Sequence, residues 1–302
     1  MTLTQDRFVS PTDFMPHEPI VAYAGGKSNV SSFLIKCFPP HKLYVDIFCG
    51  GLSVTLSKPR TMSECEWVND RYNAVANFFT VIRDHADDFS DYFNYGFIID
   101  SEELYKMWAE RLRHPVEIPD IEQAVMFWMT QQQTYTGRNA ARGTSYRFRK
   151  TRFTARHYLD LPYDRIYATH DRLQGVQIFN RDFRHILKML KRYDGVFIFE
   201  DPPYWGVSGG GDYLELFSWD DHAELAEANL SSKHKWMLTI NDHPDIRELY
   251  EGKEDVYIRG YKIRYTVNRG NPQREHTELL VSNFDTEAQL GPLFQMMEED
   301  DG

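Results

Sequence analysis

"IFEDPPYWG" (Ile198–Gly206) closes an apolar run with an acid, two prolines and an aromatic. Adjacent prolines lack N–H donors and fix φ, so they neither continue a helix nor sit inside a central strand. The preceding "GVFIF" (195–199) therefore reads as a buried strand, and the chain leaves the sheet at Asp201. A carboxylate, two fixed carbonyls and a tyrosine at a strand exit call for an explanation beyond a turn.

Outward from this strand the pattern alternates. "KLYVDIF" (42–48), "CEWVND" (65–70), "GVQIFN" (175–180) and "KWMLTI" (235–240) read as strands. Between them, "NAVANFFTVIRD" (73–84), "FRHILKMLKRY" (183–193), "DDHAELAEANL" (220–230) and "PDIRELY" (244–250) read as helices, the first with Val75, Phe78, Phe79 and Ile82 at helical spacing. Alternation of this kind predicts an α/β fold with a mostly parallel sheet covered on both faces. The last two strands, 255–267 and 277–284, have no helix between them and predict an antiparallel hairpin at one edge. Residues 85–167 break the rhythm with the helical stretches 101–114 and 121–133 followed by an arginine-rich segment, and read as an inserted, mainly helical second domain. The expected division is an arm at 1–19, a catalytic domain at 20–84 and 168–286, the insert, and an acidic tail at 287–302.

With 302 residues and 42% hydrophobic content, the chain can bury a real core. A net charge of −11 means that any nucleic-acid-binding surface has to be local. Three cysteines (Cys37, Cys49, Cys65) without C-x-x-C spacing point to reduced thiols. The start lacks the apolar core of a signal peptide and no run is long enough to span a membrane, so a soluble protein is expected.

Open parallel sheets bind ligands beyond the carboxyl ends of their strands. Four groups fall there: "DIFCGGLS" (46–53), Asp70, "NRDF" (180–183) and Asp201–Tyr204. A glycine turn followed by an acid at the end of the next strand suits an adenosine, because glycines permit close backbone approach and the acid bonds ribose hydroxyls. "AGGKS" (24–28) imitates a P-loop, but the position six residues before Lys27 is Val21 where that loop needs Gly, which argues against an NTPase. Eleven histidines lie without ligand spacing, and no metal is expected.

Together, "AYAGGK", "YVDIFCGGLSV", "VND", "NRDF", "EDPPYWG" and "TELLVSNF" resemble, in order, the motifs of the Dam-type (class D12) DNA adenine-N6 methyltransferases, including their phage-encoded branch. The resemblance covers most of residues 20–284 and departs at Leu52, where many members carry a third glycine. It implies a Rossmann-like sheet, S-adenosylmethionine (AdoMet) as methyl donor, base flipping, and double-stranded DNA as partner in the cytoplasm of a bacterium or phage-infected cell. A monomer or weak dimer is expected. It further implies catalytic roles for Asp201, Pro202, Pro203 and Tyr204: the carboxylate and the Pro202 carbonyl face the two amine hydrogens of adenine, Pro203 aims that carbonyl, and Tyr204 stacks on the flipped base. Tyr23 and Lys27 then hold the methionine end of AdoMet, Lys27 as partner of its carboxylate. Asp46, Phe48 and Gly50 line the first turn, Asp70 meets the ribose, Asp182 and Phe183 meet the adenine, and Asp201 lies near the cofactor's amino end.

From Gln123 to Leu159 there is no Asp or Glu, while Arg138, Arg142, Arg147, Arg149, Lys150 and Arg152 interleave with Tyr135, Tyr146, Phe148 and Phe153. That mixture suits phosphate contact and base recognition. RNA adenine or cytosine N4 as acceptor, and a catalytically silent DNA-binding protein, are the alternatives that the sequence leaves open.

Overall fold

The computed structural model describes residues 19–21, 23, 26–94, 101–134, 163–206, 217–264 and 275–290. Seven strands form one sheet: β1 (Leu43–Asp46), β2 (Cys65–Asn69), β3 (Gln177–Phe179), β4 (Val196–Glu200), β5 (Lys235–Asn241), β6 (Tyr257–Arg264) and β7 (Glu275–Ser282). Their order is β3-β2-β1-β4-β5-β7-β6, parallel through β5, with β7 antiparallel to both β5 and β6. The expected hairpin is present and closes one edge of this Rossmann-like sheet. The chain builds outward from β1 to β3, then returns to lay β4 on the other side of β1. Such a reversal opens a crevice at the carboxyl ends of those two strands. Asp46 pairs with Phe199 across it, so Asp46 and Asp201 leave the sheet at the same end.

Both faces are covered, which is why the central strands read as unbroken apolar runs. Leu43, Val45, Val196, Ile198, Trp236, Leu238, Leu279 and Val281 face helices α8 (Phe183–Leu190), α9 (Trp219–Leu230) and α10 (Pro244–Tyr250). The alternate residues Tyr44, Phe197, Phe199, Met237 and Leu280 pack with Leu34 and Ile35 of α1 (Ser31–Lys36). A third apolar cluster joins Val68 and Leu52 to α3 (Asn73–Asp84), and reaches Phe89 and Phe93 of α4 (Ala86–Asn94) and Ala124 and Phe127 of α6 (Ile121–Gln133). It also takes in Ile166 and Leu173 of α7 (Tyr163–Leu173). Helix α5 (Glu102–Arg111) rests on α6, its Tyr105 hydroxyl bonded to Thr134 at 3.1 Å. The helices at 86–133 thus share one core with α3. Short helices α2 (Ser53–Ser57) and α11 (Glu287–Leu290) complete the described chain, in which no helix is long and apolar enough to cross a membrane.

One buried charged set ties two helices together. Glu66 on β2 holds Lys58 at 2.6 Å and Arg172 of α7 through both of its oxygens, while Arg172 also donates to the carbonyls of Thr55 and Lys58. Removing one member of such a buried set strands the others, so it pins α7 against α2.

Candidate active site

The first turn after β1 requires its glycines. Gly50 has φ +45°, and a Cβ on Gly51 would stand 2.8 Å from the Cβ of Tyr23. Leu52, where the family pattern often has glycine, itself adopts the left-handed conformation (φ 58°, ψ 17°). That conformation is unfavourable for a leucine, and complete burial of the side chain in the α3 cluster offsets it.

Asp70, at the end of β2, secures this turn. Its two oxygens accept the backbone N–H groups of Gly50 at 2.9 Å and Tyr72 at 2.8 Å. The cleft above the turn is lined by Tyr23, Lys27, Asp46, Phe48, Gly50, Asp70, Phe183, Asp201 and Pro203, all expected site residues. Arg71, Arg181 and Phe217 also line it and were not expected. Phe48, Phe183 and Phe217 contact one another with ring centroids 5.4–5.7 Å apart, giving the cleft an aromatic wall. Asp182 is not among the lining residues. Its carboxylate caps α8 by accepting the Arg184 N–H at 2.9 Å, and lies 3.8 Å from Arg71.

Asp46 is buried, with Oδ2 accepting from Thr55 at 2.7 Å and Oδ1 without a partner among the described residues. Burial, reinforced by the nearby charges of Asp201 and Asp70, pushes its pKa up to about 7 against the opposing Thr55 bond. Between the ordinary value of 3.8 and about 7 the folded protein therefore keeps a proton that the unfolded chain has lost. Stability falls as pH rises through that window and levels off above it. An Asp46→Asn variant, which can still accept from Thr55, is expected to lose that part of the slope and to melt several degrees above wild type at neutral pH. Thermal melts from acid to neutral pH check this; parallel curves for the two proteins would remove Asp46 as the source.

Where the chain leaves β4, one polar network gathers residues from four places in the sequence. The Lys27 ammonium, 1% exposed, donates to Asp201 Oδ1 at 2.7 Å, Asp201 Oδ2 at 2.8 Å and the Tyr204 hydroxyl at 2.7 Å. The resemblance implied the cofactor's carboxylate as its partner; here the ammonium is engaged by the two residues around the proline pair. Thr239 of β5 donates to Asp201 Oδ1 at 2.9 Å, and Tyr204 donates to Glu278 of β7 at 2.7 Å. Oδ2 of Asp201 takes only Lys27 among the described residues, which leaves it one lone-pair direction. Burial raises the pKa of Asp201, with Lys27 opposing and Glu278 adding to the rise. From behind the loop, His222 of α9 bonds the Pro203 backbone and packs against Phe217, 4.6 Å between centroids; burial brings its pKa down to about 4, so it is neutral. Thr239, His222 and Glu278 escaped the sequence reading. A charged residue inside the apolar run "TELLV" was the available signal for Glu278, since a buried carboxylate needs partners.

Chemically, the arrangement offers a cleft with an aromatic wall and acids at both ends, beside a carboxylate held by a lysine. The expected nucleic-acid contacts Arg138, Arg142, Arg147, Arg149, Lys150 and Arg152 lie outside the described residues.

Residues 23–264 match the family model described as D12 class N6 adenine-specific DNA methyltransferase. The chain is similar to the type II methyltransferase M.CviBI of Paramecium bursaria Chlorella virus NC1A, 22% identical over 294 residues that cover 88% of this chain and all of that protein. Among solved structures it is similar to SMU.776 complexed with SAH, at 14% identity and a TM-score of 0.38, covering 85% of this chain and 48% of that one.

Proposed function

The chain belongs to the D12 class of N6 adenine-specific DNA methyltransferases, and from that premise we propose how its own residues transfer a methyl group from AdoMet to the amine of an adenine flipped out of duplex DNA. AdoMet supplies an electrophilic methyl on a sulfonium. The cleft fits it: Asp46 lines it with one unsatisfied buried oxygen, an acceptor for a cationic amino group. Asp70 stands at the end of β2 for a ribose hydroxyl, and the phenylalanine wall suits a purine. Gly50 and Gly51 let the backbone approach closely.

The observation that carries the reading is Asp201, fixed by Lys27 and Thr239 with one direction of Oδ2 left over, at the exit of β4. The lone pair of an adenine amine is delocalised into the ring, which makes the nitrogen a poor nucleophile. Asp201 Oδ2 and the Pro202 carbonyl accept its two N–H groups and favour localisation of that lone pair toward the methyl. Pro203 restricts the conformation of Pro202 and so aims its carbonyl. Tyr204 presents its ring to the flipped base. As the N–C bond forms, the methyl's bond to sulfur would break and leave a neutral thioether, and the proton shed by the nitrogen would pass to the buried Asp201 carboxylate.

Incubating DNA with the protein and methyl-labelled AdoMet, then analysing nucleosides by mass spectrometry, tests this. N6-methyladenine is the expected product; label in N4-methylcytosine, or in RNA alone, would overturn it.

Target recognition is assigned to the insert at 85–167, with the arginine-rich stretch 138–156 gripping the DNA. Neutralising Arg147, Arg149 and Arg152 together is expected to weaken DNA binding and flatten its salt dependence, by about one unit of log–log slope for each phosphate no longer gripped. AdoMet affinity is expected to stay as it was. A salt titration of both proteins measures the slopes, and equal slopes would place the DNA-binding surface elsewhere.

A further inference from the structure

Glu278 lies on β7, 1% exposed, in the middle of a strand whose neighbours Leu279, Leu280 and Val281 are core residues. Its Oε1 accepts from Tyr204 at 2.7 Å, its Oε2 accepts from Tyr261 of β6 at 2.5 Å, and Lys27 Nζ is 3.9 Å from Oε2. The chemistry of donors and acceptors fixes the direction of each of these bonds. An ammonium only donates, so the Tyr204 oxygen accepts from Lys27 and must point its single proton at Glu278. Tyr261 spends its proton the same way. Two hydroxyl donors thus converge on one carboxyl group, one at each oxygen, and that group gives the Tyr204 ring one orientation.

We propose that Glu278 is a positioning residue for methyl transfer: it locks the Tyr204 hydroxyl, and through it the Lys27–Asp201 pair, in the geometry that receives the adenine amine. The proposal rests on the roles given above to Asp201 and Tyr204. Without the Glu278 carboxylate, the Tyr204 proton is no longer drawn away from Lys27 and competes with it, and the ring is released from the strand that fixes it. The Lys27 ammonium also loses a negative neighbour. AdoMet affinity is expected to change less than turnover, because Glu278 itself is not among the cleft-lining residues and reaches the cleft only through Tyr204, Lys27 and Asp201.

The test is a double-mutant cycle with Glu278→Gln, Tyr204→Phe and the combination, reading kcat, AdoMet affinity by calorimetry, and thermal midpoint. Glu278→Gln is expected to lower kcat about 10- to 100-fold with AdoMet Kd changed less than about twofold. Added to Tyr204→Phe, it is expected to cost less than about twofold more, because the hydroxyl through which it acts is already gone. A purely structural role would instead give losses that multiply, and that result would overturn the proposal; so would near-wild-type turnover in Glu278→Gln. Should that variant fail to fold, Glu278→Asp, which keeps the charge and shortens the reach, is read through the same cycle. Methylation of adenine by the wild type in the same assay tests the underlying reaction separately.

Discussion

Alanine at Asp201 is expected to lower methyl transfer by about three orders of magnitude, the range seen when a fixed group that stabilises a transition state is removed. The substitution deletes one of the two acceptors on the adenine amine and the nearest acceptor for its proton. It also takes from the Lys27 ammonium the carboxylate bonded at 2.7 and 2.8 Å, leaving that of Glu278 farther off at 3.9 Å. Stranding a buried charge costs roughly 3 kcal/mol of stability, so the variant should melt lower and still fold. Asp201→Asn separates the two effects: it keeps the volume, but its amide cannot satisfy Lys27 on both sides. Single-turnover assays beside thermal melts make the measurement. A folded Asp201→Ala protein turning over near the wild-type rate would sink the mechanism.

The second large effect is expected at Asp70. Alanine there is expected to raise the AdoMet Kd about 100-fold, more than the loss of one hydrogen bond would give, because the carboxylate has two roles. Its bonds to the N–H groups of Gly50 and Tyr72 hold the turn, and charge-assisted bonds of this kind are worth about 1.5–3 kcal/mol. Asp70→Asn keeps one oxygen to hold one of those N–H groups and should sit between alanine and wild type. Calorimetry decides: unchanged affinity in Asp70→Ala would mean that the cofactor binds outside this cleft.

The parallel part of the fold was legible because buried strands and amphipathic helices each carry their own period. The stretch 73–84 is the helix α3 residue for residue, and the proline pair marked the end of β4 to within one position. Helices α1 and α2, six and five residues long, are too short to show a period. Helix α4 is mostly polar and rests on little more than Phe89 and Phe93. The placement of β7 between β5 and β6 depends on pairing between distant segments, which no local pattern encodes. At the site, residues fixed by turn chemistry could be read, but bond partners could not. An aspartate at a strand end caps a helix, as Asp182 does, or holds a turn, as Asp70 does, and the sequence looks the same in both cases. Lys27 and Asp201 are 174 residues apart, so their pairing emerges only when β1 and β4 become neighbours.

The position of β7 also has a consequence in time. Among the described strands it is the last in chain order, yet it lies inside the sheet and carries Glu278. A nascent chain that has already folded β1 to β5 around Asp201 still lacks the strand that fixes Tyr204. Closing that gap means laying β7 between β5 and β6, the two strands that precede it, so that its pairing with β5 must reach past helix α10 and β6.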